Sequence, residues 1–250
     1  DGDSNDTAEN VAPNDSIAIA SGVTLTSASD ISLNATTSGI SAAGAFTLTA
    51  PSSITLTGNL TAAGAVDLTA NSGITLNSNI TTSSSSSLNI DANSSTLSLA
   101  SGVVLSSAGA LTLAASNASS LGNLTLTSTG STVNINSALT STGAVAMTAN
   151  SGLNLNNIAL TGAGNITLQG GTGLTLASGM GITSSAGSIT LGASGGTIAA
   201  NGALTLSSNG SITVSNTFTS AGAAPLTANS GISLGTNFTA NGAVSIDADL

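Results

Sequence analysis

The sequence predicts an all-β fold, a right-handed parallel β-helix (β-solenoid) of about eleven coils, each with three short strands in about 20 residues. Three observations carry this expectation. A phrase of about 20 residues recurs along the chain, apolar and polar residues alternate within it, and the composition suits a thin core.

The 250 residues include no Lys, Arg, His, Cys, Trp or Tyr, only three Phe, and ten acids. An ordinary chain is about one quarter charged, against 4% here, so the loss of every cation is no sampling accident. A hydrophobic content of 40% and a mean hydropathy of +0.42 are too high for a solvated coil. The apolar inventory is Val, Ile, Leu and Ala, which fills a narrow core better than a wide one. A formal charge of −10 offers no basic patch, so neither nucleic acid nor an anionic lipid surface is expected as a partner. No run of 18 apolar residues is present, and no membrane span is expected. The chain opens at Asp1 without Met or a leader segment, which fits a removed leader or an excerpt of a larger secreted protein.

Residues 42–61 align without gaps on residues 62–81, and the phrase returns at 141–156 and 220–239. Each copy holds three strand candidates separated by Gly, Asn or Ser. The first is expected to point inward with Phe46 and Leu48, Val66 and Leu68, Val145 and Met147, Ile166 and Leu168, Ile189 and Leu191. The second supplies Ile54 and Leu56, Ile74 and Leu76, Leu153 and Leu155, Ile212 and Val214, Ile232 and Leu234. A brief third supplies Leu60, Ile80, Leu139, Ile182, Phe218 and Phe238. Alternation with period two belongs to half-buried strands and not to helices.

One copy has nothing of its own to bury this face against. Stacking copies in parallel, each strand on its equivalent one turn away, solves that. Coils then rise by about 4.8 Å each and build a rod of roughly 50 Å, with Leu, Ile and Val inside and Thr, Ser and Asn in water.

Gly44, Gly64, Gly109, Gly143, Gly164, Gly187, Gly202, Gly222 and Gly242 each stand two residues before a first-strand apolar position. Such a slot is expected to need φ > 0 or close backbone approach. Asn-Ser-Gly turns beginning at Asn71, Asn150 and Asn229 mark the next corner, where Asn and Gly tolerate left-handed backbone. The repeat loosens between Leu88 and Leu126 and between Leu191 and Leu204, and a run of serines at 83–87 replaces the Ala-Gly corner. Loops at corners are expected to absorb these changes. The division is therefore an acidic non-repeat arm at 1–15 and a parallel β-helix at 16–250.

The unit Gly-Ala-Val-Asp-Leu-Thr-Ala-Asn-Ser-Gly-Ile-Thr-Leu-Asn at residues 64–77 resembles the repeats of filamentous-haemagglutinin-like exoproteins and autotransporter passengers. The resemblance runs from about Ser16 to the C-terminus and carries no site residues. It implies a right-handed β-helix, secretion from a Gram-negative-like cell, and a role in adhesion or surface structure. The chain shows no amino-terminal secretion domain of the kind those exoproteins carry, and its lack of Lys and Arg is unlike most of them.

Acid–base and nucleophilic catalysis usually recruit His, Cys, Lys, Tyr or paired carboxylates. Only carboxylates exist here: Asp30, Asp67, Asp91, Asp247 and Asp249 in the repeat region. Asp67 and Asp91 are expected on outward positions of adjacent coils, two residues apart in register and about 7–8 Å apart, a separation that inverting glycosidases use. No aromatic or cationic group stands by to hold a sugar. The pair reads as two solvated carboxylates, and the chain is expected not to be an enzyme. No catalytic, cofactor-binding or metal residue is assigned.

Asp1, Asp3 and Asn5 alternate as calcium-loop ligands do, but Asp6 replaces the required Gly and Ala12 the required Glu, which favours an acidic tail or a subunit-contacting arm. Thr24/Thr26, Thr47/Thr49, Thr55/Thr57 and Thr125/Thr127 form Thr-x-Thr pairs similar to those on ice-binding faces of some antifreeze β-helices, in columns interrupted by Asp67, Asp91, Gln169, Pro225 and Asp247. Glycosylation sequons occur at Asn5, Asn14, Asn34, Asn59, Asn79, Asn93, Asn117, Asn123, Asn165, Asn209 and Asn237.

Neither end reads as a cap, and uncovered parallel edges invite pairing with another chain. The expected function is that of an extracellular, cell-surface structural protein, self-associating into a filament through its N- and C-terminal coils. The alternative is the stalk of a large secreted adhesin that contacts a host or cell surface elsewhere, with ice binding as a minor third reading.

Overall fold

The computed structural model describes residues 16–157 and 159–249. The acidic arm at 1–15, with its calcium-loop spacing and the sequons at Asn5 and Asn14, lies outside the described residues. The rest is a parallel β-solenoid of eleven coils with three strands in each. The first coil is formed by Ile17–Ile19, Val23–Thr26 and Ile31–Asn34, the last by Gly231–Leu234, Phe238–Ala240 and Val244–Asp247. Every first strand pairs in parallel with the first strand of the next coil, and so for the second and third. The result is three faces of eleven strands each.

Register turns the alternation read in the sequence into continuous columns. On the first face Ile40, Leu60, Ile80 and Leu105 are successive partners, followed by Leu126, Met147, Leu168, Leu191 and Val214. The second face runs Phe46, Val66, Leu88, Leu111, Val133, Leu153, Leu174 and Ile198 to Phe218. The third runs Ile54, Ile74, Leu97, Ala118, Leu139, Leu160, Ile182 and Leu206 to Leu226. All these side chains are buried, and together they form one core along the rod. Full burial of each Leu, Ile or Phe contributes about 1.5–3 kcal/mol. Phe218 and Phe238, partners in adjacent coils, stack with ring centroids 4.4 Å apart.

The coils average about 21 residues rather than 20, and register separations on the first face range from 20 (Ile40 to Leu60) to 25 (Ile80 to Leu105). This has a consequence that the repeat alone conceals. The Gly-Ala-x-x-x-Thr-Ala phrase lies on the second face at 44–50 and 64–70, on the first at 143–149 and on the third at 222–228. The grouping of inward residues into one first, one second and one third strand class is therefore corrected. Val145, Ile166 and Ile189 share a face with Leu60 and Ile80, not with Phe46 and Val66. Residues inserted at corners accumulate to one strand's length every few coils, and the phrase arrives one face earlier. The move is tolerated because each face presents the same narrow apolar interior.

The placement of hydroxyls is corrected as well. Thr82, Ser107, Ser120, Ser128, Ser137, Ser141, Ser184, Ser208 and Ser220 are buried. Most occupy a small-x-Gly corner and donate inward-facing hydroxyls to a carbonyl of the preceding coil. Ser128 Oγ donates to the carbonyl of Gly109 at 2.6 Å, Ser141 to Gly122 at 2.6 Å, Ser184 to Gly164 at 2.8 Å and Ser208 to Gly187 at 2.8 Å. In other coils Ala42, Ala62 or Gly162 takes this place. Space admits only a small side chain, and a hydroxyl there satisfies a corner carbonyl that would otherwise be buried.

The glycine slot is a matter of close approach, not of positive φ. A Cβ on Gly64 would lie 2.2 Å from the amide nitrogen of Ala45, and one on Gly143 2.5 Å from that of Asn123. Gly187 and Gly222 meet the preceding coil in the same way. Positive φ falls elsewhere. In the Asn-Ser-Gly turns it belongs to Gly73 and Gly231, not to the asparagines. The serine run at 83–87 absorbs its insertion in a turn closed by Ser86 N–H on the Ser83 carbonyl, with Ser84 and Ser85 at φ 58° and 60°.

Gly143→Ala is expected to lower stability by 1–3 kcal/mol, of the order of overpacking a closed site. Gly152, whose added Cβ meets nothing closer than 3.7 Å, should accept Ala without loss. Denaturant midpoints of the two variants test this.

Candidate functional site

The carboxylates of the second face sit as the sequence suggests. Asp67 pairs in register with Asn89 and Asp91 with Thr69, so the two acids are on adjacent coils and two positions apart. Their neighbours give them structural work. Asn89 Nδ2 donates to Asp67 Oδ1 at 2.9 Å, and the Asn93 backbone N–H donates to Asp91 Oδ1 at 2.7 Å, closing a local turn in which Asn93 has φ 49°. Among the described residues no group of three His, Cys, Asp or Glu could hold a metal ion.

Asp30 is the carboxylate with the most pronounced environment. Its Oδ1 accepts the Ser53 hydroxyl at 2.6 Å and the Ser53 N–H at 2.8 Å, tying the first coil to the second. The hydroxyl of Ser53 first, then that of Ser52 and the Ser53 amide, hold its pKa down at about 2, because these bonds favour the ionised form.

A cavity of about 10 Å³ in the rod interior is lined by Ile135, Ser137, Leu139, Met147, Leu155 and Met180. That is about the room one water needs, far below what a substrate requires. A shallow open groove on the first face is lined by Thr127, Thr148, Asn150, Gln169 and Ser194, with Gln169 Nε2 donating to Ser194 Oγ at 2.8 Å. It contains no titratable group.

The outward threonines divide by face. Asp67, Asn89, Asp91, Asn134 and Asn154 break the hydroxyl series on the second face, and Gln169 and Gly192 break it on the first. On the third face the series Ser32, Thr55, Thr75, Ser98, Ser119, Thr140, Thr161, Thr183, Ser207 and Thr227 is unbroken until Asp247. The interruptions anticipated from the sequence therefore fall mainly on the other two faces. Pro225 belongs to a neighbouring column of the third.

Several sequon asparagines tie coils together. Asn79 Oδ1 accepts the Val104 N–H at 2.8 Å, Asn123 that of Ala144 at 2.9 Å and Asn165 that of Ser188 at 2.9 Å. Asn93 Nδ2, the atom a glycan would occupy, donates instead to Asn71 Oδ1 at 2.6 Å.

A family model described as Repeats of unknown function (DUF5649) matches residues 20–87, which cover most of the first three coils and the start of the fourth. No curated protein matches the chain, and no solved structure does. No helix among the described residues is long and apolar enough to cross a membrane.

Asp30 sets an acid-sensitive clasp. Its folded pKa lies below the ordinary carboxylate value of 3.8, so its contribution to stability is complete above about pH 4 and is lost as pH falls through about 2. Thermal melts between pH 5 and 2 should show a steeper decline for the native chain than for Asp30→Asn. Equal slopes would show that the bond to Ser53 adds nothing.

Proposed function

We propose that this chain is a non-catalytic structural rod of the cell exterior that is extended by coil-on-coil stacking into a surface filament. The observation that carries this reading is the behaviour of the apolar columns at the last described coils. Within the described residues they stay apolar through the first and last coils. At one edge Ile17, Val23 and Leu33 are only partly covered and Leu25 is 38% exposed. At the other, Ile232, Leu234 and Phe238 are partly covered, and Val244 and Ile246 are 46% and 52% exposed.

The two edges are also complementary in kind. Phe238 ends a column whose first member is Val23, and Val23 already meets Phe46 inside the rod. Ile246 ends a column whose first member is Ile31, which already meets Ile54. A following coil with the residue types of the first coil would find the same partners that coil has now. Edge backbone groups supply the parallel hydrogen bonds of the junction. The resemblance of its repeats to those of filamentous-haemagglutinin-like exoproteins supports reading the rod as external. The lack of Lys and Arg removes the cleavage sites of trypsin-like proteases, which suits a durable external fibre. The stalk of a large adhesin uses the same edges, with the next coil supplied by the same polypeptide.

Electron microscopy of the chain at high concentration tests the reading. End-to-end particles with lengths in steps of roughly 50 Å, lost in a Phe238→Asp/Ile246→Asp variant whose circular dichroism is unchanged, are the expected result. Single rods of one length at every concentration would overturn it.

A further inference from the structure

The third face has a property that the other two lack. From Thr55 to Thr227, nine consecutive coils each place a Ser or Thr at the same outward register position. Between Thr55 and Thr227 the outward column of this face carries none of the described charges. The described acids are Asp30, Asp67, Asp91, Asp247 and Asp249. Two of these lie on the second face, and the others lie at the two ends of the rod. Through the middle of the strip Ala138, Ala159 and Gly181 are the register neighbours of the hydroxyl column, while Asn117 and the exposed Leu121 flank it at Ser119.

None of the nine hydroxyls is engaged within the molecule. The corner hydroxyls, such as Ser141 and Ser208, donate to backbone carbonyls at 2.6–2.8 Å. Outward polar groups on the second face pair with one another, as Asn154 does with Asn134 at 2.8 Å. The column on the third face holds unspent donors and acceptors on a smooth uncharged strip.

We propose that this strip is a lateral interface with a second copy of the chain, distinct from end-to-end extension. Hydroxyls at about 4.8 Å intervals stay matched over nine coils only with a partner of the same repeat, and another copy has it by identity. Nine coils by about five residues give about 700 Å² on each copy, about 1,400 Å² together, within the range of stable interfaces. Two chains of charge −10 repel one another, and along the middle of the third face no described carboxylate opposes their approach. Facing hydroxyls and Thr methyls then interleave as cross-strand Thr pairs do within sheets. Each bond is weak, and the tally of many makes the contact. In a filament the interface repeats with every protomer, so modest pairing becomes firm bundling.

Sedimentation velocity and small-angle scattering of the full chain across concentration test the proposal. The expected result is a species of doubled mass with a larger cross-section and unchanged length, which separates it from end-to-end growth. Thr140→Glu/Thr161→Glu, at the middle of the strip, should weaken this pairing by about tenfold or more. Thr112→Glu/Thr175→Glu on the second face should leave it unchanged. A chain monomeric in cross-section at every concentration would overturn the proposal, as would pairing that survives the Thr140/Thr161 change. Thermal hysteresis in freezing solutions that vanishes with the same change would also overturn it, by giving the strip to ice instead.

Discussion

The fold depends on vertical contact between like apolar side chains in adjacent parallel coils. A single coil contributes only a handful of inward side chains, such as Ile40, Ala42, Phe46, Leu48, Ala50, Ile54 and Leu56 in the second, too few to cover one another, and none of the three strands has a partner inside its own coil. Each winding is stable only because the winding below presents Leu, Ile or Val at the same height and an open strand edge beside it. The apolar contribution then grows linearly with coil number, as in other solenoids. This also explains the missing aromatics. Rings occur at Phe46, Phe218 and Phe238, all in one column of the second face, where Phe46 lies between Val23 and Val66 and Phe218 between Ile198 and Phe238.

The corners are the second constraint, and they follow from the first. For side chains to stack, backbones at the turns must lie at the same 4.8 Å spacing, and there the chain bends toward its neighbour. A glycine without Cβ, such as Gly64 above Ala45, lets this happen. A small inward residue two places earlier leaves room, and when it is Ser it satisfies the carbonyl of the corner below. The polar exterior is free of this geometry. Its Thr, Ser and Asn residues suit exposed strands, and they vary along the rod without cost to the core.

The overall architecture was legible from the sequence because both its periods are strong. Alternation gives strand and inward face, and the recurrence of Gly-Ala-x-x-x-Thr-Ala gives stacking. Assignment of strands to faces was not legible. A phrase that fits three equivalent faces does not declare which one it occupies, and the migration of Val145 to the face of Leu60 is visible only through register. Buried serines were missed because Ser120 and Ser141 look like surface residues until the small-x-Gly corner is recognised. That corner was the available signal, since Ala and Ser alternate at one slot two residues before a glycine. The relation of Asp67 to Asp91 was readable from spacing. The engagement of both by Asn89 and Asn93 was not, because side-chain bonding between coils leaves little trace in alternation.

The proposed function rests on what such a rod presents: long faces of regular register and apolar columns that reach the first and last described coils. X-ray diffraction from oriented material tests the underlying claim most directly. Coils stacked in parallel register give a sharp reflection at about 4.8 Å along the rod axis, together with a circular dichroism spectrum of β-structure. A helical spectrum, or a 4.8 Å reflection perpendicular to the rod axis, would contradict the stacked-column account.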